Sequence, residues 1–278
     1  MTYVLPKTLA EALEIKAGQE MTVLAGGTDV FPAATSLGMP DNIMDISAIS
    51  DLRGISDTDD QYRFGALTTW SDIANADLPA QFDCLKQAAL EVGSIQIQNA
   101  GTIAGNLCNA SPAADGVPPL LALNAQVELS SKDGVRVLPI QEFVLGNRRT
   151  ALQSGELVSA VLVPKDLSGA VSHFIKLGAR KYLVISITMV AVIVEVDDQN
   201  KITQARISVG ACSEVAMRIE ALEQALIGCA ASDAAASVKA DYFSCLSPIS
   251  DVRAKAEYRR NAAVELVTRA LAKCAETL

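Results

Sequence analysis

The chain has 278 residues, half of them hydrophobic and 4% aromatic, with a formal net charge of −9. That length accommodates one large domain or two modest ones, with a core of Val, Ile, Leu and Ala. The acidic balance argues against nucleic acid and anionic membrane as partners, since both select basic patches.

Taken in chain order, a helix is expected over 6–17 behind a proline at its first position. A strand over 21–25 feeds the loop Ala25-Gly26-Gly27-Thr28-Asp29, and a helix over 29–37 ends at Gly38 and Pro40. A strand over 43–46 completes a small α/β unit ending near residue 55. The acidic turn 56–60 marks a subdomain boundary. A strand over 62–66, a helix over 70–76 and an amphipathic helix over 79–92 follow. Segment 93–98 is expected to lead into a second glycine loop in the way a strand leads into the first. Pro118-Pro119 opens a short helix. Strands over 126–130 and 135–138 flank the hairpin turn Lys132-Asp-Gly134. A strand over 156–163 stops at Pro164, and 164–169 is the expected linker. Beyond it lie strands over 171–178, 187–197 and 201–211, then helices over 215–226, 231–241 and 251–276. Strands followed by helices indicate an α+β layer.

The longest apolar stretch, 183–194, is far short of the roughly twenty residues needed to span a bilayer. The N-terminus has neither the basic region nor the apolar core of a signal peptide. The six cysteines are all at least sixteen residues apart, whereas cluster and structural zinc sites use closely spaced pairs. The expectation is therefore a cytoplasmic chain with reduced thiols and no metal site of its own.

The most informative motifs are the two glycine loops. Gly101-Thr-Ile-Ala-Gly105-Asn106 is followed nine residues later by Asp115. Glycine lets backbone approach a ligand closely, and successive N–H groups in such turns form an anion-binding concavity. Thr adds a hydroxyl, Asn an amide, and Asp an acceptor suited to ribose hydroxyls. A plain turn is the competing reading of either loop alone, and Asp29 and Asp115 could instead cap the helices that follow them. Neither loop matches a Gly-x-Gly-x-x-Gly fingerprint or a P-loop.

Leu24-Ala-Gly-Gly-Thr-Asp-Val30 and Gly101-Thr-Ile-Ala-Gly-Asn-Leu-Cys-Asn-Ala-Ser-Pro-Ala-Ala-Asp115 resemble the two FAD-binding signatures of the flavin (medium) subunit of molybdenum hydroxylases. That family includes xanthine dehydrogenase and carbon monoxide dehydrogenase. The resemblance continues through 42–46, 52–55, 65–70, Phe174-Ile-Lys176 with Arg180, and 251–259. It implies a PCMH-type FAD-binding domain over 1–165, with subdomains of about 1–55 and 56–165. A C-terminal domain over 170–278 would carry a small antiparallel sheet and helices. It further implies non-covalent FAD contacted by Leu24, Ala25, Gly26, Gly27, Thr28, Asp29, Val30, Thr102, Ile103, Ala104, Gly105, Asn106, Asp115, Val158 and Lys176. Molybdopterin and [2Fe-2S] clusters would sit on partner chains: an iron–sulfur subunit and a large molybdopterin-binding subunit.

Two departures stand out. The family often has Arg where this chain has Gln98, and Gly-Gly where it has Ala104-Gly105. Ala104 is expected in an ordinary backbone region. His173, the sole histidine, reads as a packed residue and Trp70 as core. Lys176 is either a cation near the flavin or a surface lysine. Arg148-Arg149 reads as a solvated pair or a subunit contact. The function implied is electron transfer through FAD. The alternative is a self-sufficient flavin oxidase of the vanillyl-alcohol-oxidase type, for which only Cys108, beside the second loop, is suggestive.

Overall fold

The computed structural model describes residues 2–167 and 169–278; Ser168, in the expected linker, lies outside them. The chain begins with a three-stranded parallel sheet of order β1-β3-β2, formed by β1 (Thr2–Val4), β2 (Thr22–Leu24) and β3 (Asn42–Asp45). Helix α1 (Leu9–Gly18) joins the first two strands and α2 (Val30–Leu37) the last two. Thr8 caps α1 by accepting from the Glu11 N–H, so Pro6 lies outside the helix rather than at its first position.

A five-stranded antiparallel sheet of order β4-β5-β10-β6-β7 follows. Its strands are β4 (Ile55–Asp57), β5 (Gln61–Gly65), β6 (Gln126–Ser131), β7 (Gly134–Pro139) and β10 (Leu157–Pro164). The small hairpin β8 (Val144–Gly146) and β9 (Arg149–Thr150) precedes β10. The acidic turn 56–60 belongs to the β4–β5 hairpin. Between β5 and β6 run α3 (Trp70–Asn75), α4 (Asp83–Glu91), α5 (Ile95–Ala100), α6 (Ile103–Asn109) and α7 (Val117–Ala122); α8 (Ile140–Phe143) follows β7. The expected helix over 79–92 is a 3-10 turn at Ala80–Phe82 followed by α4. Segment 93–98 is no strand: Gly93, at φ +56, turns the chain after α4 into α5. The second glycine loop is thus the junction of two short helices.

The third sheet, β11 (Val171–Leu177), β12 (Thr188–Val196), β13 (Ile202–Gly210) and β14 (Met217–Arg218), is antiparallel in that order. Met189, Ala191 and Ile193 of β12 join the core shared with α4 and α7, while Val190, Val192 and Val194 join the core beneath α9 (Glu220–Leu226) and α10 (Ala256–Thr277). Both faces are covered, which explains a continuous apolar run instead of a polar–apolar alternation. The expected helix over 215–226 yields its start to β14. The one over 231–241 is a chain of 3-10 turns, with Ala231 and Ala234 buried in the core it shares with α10. Tertiary packing overrides the weak preference of an alanine-rich stretch for helix.

Helix α4 ties the third sheet to the rest. Ser172 Oγ accepts from the Cys84 N–H at 2.9 Å and donates to the Ala80 carbonyl at 3.0 Å. The Gln87 side-chain oxygen accepts from the Phe174 N–H at 2.8 Å.

Candidate functional site

The two glycine loops meet. A Cβ on Gly26 would fall inside the Ala100 carbonyl, and one on Gly101 would lie 3.3 Å from Thr28 Oγ1. Glycine at 26 is therefore required for loop-on-loop packing, beyond any approach to ligand. Gly27 sits at φ +68, where its backbone turns into α2. The second loop is held from below: Trp70 N–H donates to the Gly101 carbonyl at 3.2 Å, and Ile103 N–H to the Thr68 carbonyl at 2.9 Å. Thr102 caps α6 by accepting from the Gly105 N–H at 3.1 Å. Ala104 is helical, as expected.

Around the loops runs a cleft in two sections. The first, about 480 Å³, is lined by Ala25, Gly26, Gly27, Thr28, Asp29, Val30, Thr102, Gly105 and Asn106, with Trp70, Cys108 and Arg148. The second, about 400 Å³, contains Asp115 and Lys176 and shares Val92, Ile97, Asn106 and Asn109 with the first. Sequence positions 25 to 176 thus converge on one groove. Leu24, Ile103, Ala104 and Val158 line neither section. Each is buried, and Val158 lies at the β10 bulge in the core near α6.

The site's polar inventory suits an anionic dinucleotide. Among the described residues, the backbone N–H groups of Gly26, Gly27 and Thr28 donate to no protein acceptor. Asn106 Oδ1 is buried without a partner. Buried polar groups are nearly always satisfied, so Asn106 Oδ1 is an unusual orphan, while the half-buried loop N–H groups remain open to an acceptor in the cleft.

At the far end, Asp115 caps nothing: α7 has no side-chain cap. Its Oδ2 accepts from Lys176 Nζ at 2.6 Å and its Oδ1 from Ser186 Oγ at 2.6 Å. Lys176 also donates to the Glu91 carbonyl at 3.1 Å. Burial pushes the Asp115 carboxyl above the usual carboxylate range, and the Lys176 ammonium opposes that rise. Lys176 is therefore a buried cation at the cleft, which corrects the surface-lysine reading. Asp29 precedes α2 without a side-chain cap bond.

Gln98 turns away from the cleft and donates to the Leu90 carbonyl at 2.9 Å. Trp70 is in the core. His173 is half-buried on β11, where desolvation, reinforced by Lys273, lowers its pKa. The sequence reading missed Arg148 as a cleft residue and Ser186 as the buried hydroxyl that holds Asp115. Ser186 carries no local motif; Arg148 could have been suspected only from its place in a Gly-Asn-Arg-Arg turn.

Comparison with known proteins places this geometry. Residues 1–166 match the family described as the FAD binding domain in molybdopterin dehydrogenase, and residues 173–274 match the CO dehydrogenase flavoprotein C-terminal domain. The nicotinate dehydrogenase FAD-subunit of Eubacterium barkeri is 34% identical over 80% of this chain and 78% of its own. Caffeine dehydrogenase subunit beta of Pseudomonas sp. (strain CBB1) is 32% identical over 99% and 95%. The solved CO dehydrogenase from Oligotropha carboxidovorans superposes with a TM-score of 0.91 at 27% identity, covering 99% of this chain and 98% of that one. The chain belongs to the FAD-binding subunit family of molybdenum hydroxylases, and is an oxidoreductase subunit of the xanthine dehydrogenase-like type. The self-sufficient oxidase alternative is set aside by these matches.

Proposed function

We propose that the cleft holds one non-covalent FAD, and that this subunit carries electrons from iron–sulfur clusters on a partner chain to a final acceptor. The observation that carries the reading is the convergence of two interlocked glycine loops, with free N–H groups at Gly26, Gly27 and Thr28, on a cleft ending at Asp115 and Lys176. Bound FAD supplies redox chemistry in one- or two-electron steps. The loop N–H groups bind its diphosphate. Thr28, Thr102 and Asn106 supply side-chain hydrogen bonds, and Asp115 and Lys176 fix charge at the far end. Leu24, Ala25, Asp29, Val30, Ile103, Ala104, Gly105 and Val158 shape or support the walls.

Among the described residues no group of three or more His, Cys, Asp or Glu is arranged to hold a metal ion. The [2Fe-2S] clusters and molybdopterin are assigned to an iron–sulfur subunit and a larger subunit, in keeping with the family match and the medium-chain relatives. Helix α2 buries none of its residues and exposes Phe31 and Leu37, with Met39 just beyond it, a face suited to a partner chain. No helix of the described residues is long and apolar enough to cross a membrane. The six free cysteines accord with a cytoplasmic setting. The domain division proposed is 1–165 and 170–278.

Acid precipitation of the purified yellow chain tests the cofactor assignment: the flavin should appear in the supernatant at one FAD per chain. Rapid-mixing spectroscopy tests the rest. A substrate of the complex should bleach the flavin only when the iron–sulfur and molybdopterin chains are present. Bleaching by the isolated chain would overturn the electron-transfer role.

A further inference from the structure

Two adjacent arginines, Arg148 in the β8–β9 turn and Arg149 at the start of β9, have side chains with different fates. Arg149 donates to the Leu145 carbonyl at 2.9 Å and reaches Glu214 at 3.5 Å. Arg148 lines the glycine-loop section of the cleft, and its side chain has no acceptor among the described residues. Among the described residues it is the only cation lining that section, and Asp29 the only anion. This occurs on a chain of net charge −9.

The placement of Arg148 is built into the fold. Its backbone has φ +54, a left-handed conformation uncommon outside glycine. Its N–H donates to the Ala110 carbonyl at 3.1 Å. Ala110, at φ +47, is the C-cap of α6, the helix that contributes Thr102, Gly105 and Asn106 to the cleft. The hairpin tip is thus fastened to the element that forms one wall of the groove. Backbone held in a sparsely populated region, at a functional cleft, is a recurrent sign of a positioned side chain. A guanidinium offers several planar donors and pairs with phosphate oxygens in bidentate fashion. The free N–H groups of Gly26, Gly27 and Thr28 supply only partial charges, so a diphosphate there lacks a full countercharge unless Arg148 provides one.

We propose that Arg148 is the cationic arm of the dinucleotide site, closing over the FAD diphosphate opposite the first glycine loop. The inference rests on the FAD-site reading given above.

The test uses the full chain stripped of flavin. FAD, ADP and adenosine are titrated into wild type, Arg148→Ala, Arg148→Lys and Arg149→Ala, with binding followed by fluorescence. Arg148→Gly, which relaxes the left-handed backbone, guards against misfolding as the cause. Removing a charge-assisted contact should weaken FAD and ADP about 10- to 100-fold in Arg148→Ala and Arg148→Gly. Adenosine, which has no phosphate, should bind as in wild type. Arg148→Lys should recover part of the loss, and Arg149→Ala should bind FAD normally. The wild-type advantage over Arg148→Ala should shrink as salt rises. Unchanged FAD affinity in both Arg148→Ala and Arg148→Gly overturns the proposal, as does an equal loss for adenosine. If wild type binds neither FAD nor ADP, the FAD-site reading itself fails, an outcome distinct from failure of Arg148 alone.

Discussion

Lys176 on β11 and Asp115 ahead of α7 form a 2.6 Å ion pair with side chains only 6% and 9% exposed. The pair bridges the two family-matched regions, 1–166 and 173–274, at the far end of the cleft. One contact thereby couples the site to the packing of the C-terminal sheet on the rest of the molecule.

Lys176→Met should destabilise the chain by about 3–5 kcal/mol, because it leaves a buried carboxylate without its partner. The double variant Asp115→Asn/Lys176→Met should recover part of that loss. The pH dependence has a definite sign. Burial already raises the Asp115 pKa, and removing Lys176 raises it further. A raised carboxyl contributes stability fully below its unfolded value of about 3.9 and loses it as pH rises through the folded value. The deficit of Lys176→Met should therefore be smaller in acid than at neutrality. Urea denaturation of the four-variant cycle checks this, and simple additivity of the two single losses would show that the pair does not couple.

Ser186→Ala should cost about 1.5–3 kcal/mol, the worth of a hydrogen bond to a charged group. Ser186 is almost fully buried and its hydroxyl favours the ionised form of Asp115. The apparent pKa of Asp115, followed by carboxyl-carbon NMR, should rise in the variant. No change in either stability or pKa would remove Ser186 from the network.

Gly26→Ala should destabilise by about 1–3 kcal/mol or more and also lose FAD, since its Cβ meets the Ala100 backbone, which cannot yield. Gly18→Ala is the control. Nothing lies within 4 Å of its Cβ and its backbone is not left-handed, so it should be neutral or stabilise by up to about 1 kcal/mol. Thermal melts and flavin titration separate the outcomes. A Gly26→Ala variant of wild-type stability would show that the loops do not interlock.

Acid sensitivity should run partly through Asp251. Its carboxyl accepts the Arg253 N–H at 2.8 Å, pairs with buried Arg259 at 2.7 Å, and is held well below the usual carboxylate range. A lowered carboxyl contributes stability above its unfolded value of about 3.9 and loses it as pH falls through the folded value. Asp251→Asn should therefore lower the urea midpoint at pH 6 and flatten the decline between pH 4 and lower values. An unchanged acid limb would rule Asp251 out.

The legible part of this molecule was local. Glycine, threonine and asparagine within a few residues announce a turn with exposed donors, so both loops and Asp115 could be read directly. Strand 188–196 was equally plain from its near-continuous apolar run, and its neighbours 171–177 and 202–210 were read to within a residue at each end. Short helices were not. Segment 95–100 is helical because Gly93 turns the chain just before it, and 231–245 is a set of 3-10 turns because buried alanines press it toward α10.

The sequence by itself determined the type of chain, the two glycine turns that line the cleft and the sheet of the C-terminal part, since each depends on neighbours in sequence. Only the tertiary structure decided that Gly26 serves loop packing, that Asp115 is paired with Lys176 sixty-one residues away, and that Arg148 faces the cleft while Arg149 does not. Those outcomes depend on which surfaces meet when three sheets pack together. Charge and burial across such a meeting have no periodicity along the chain, so no local pattern could have announced them.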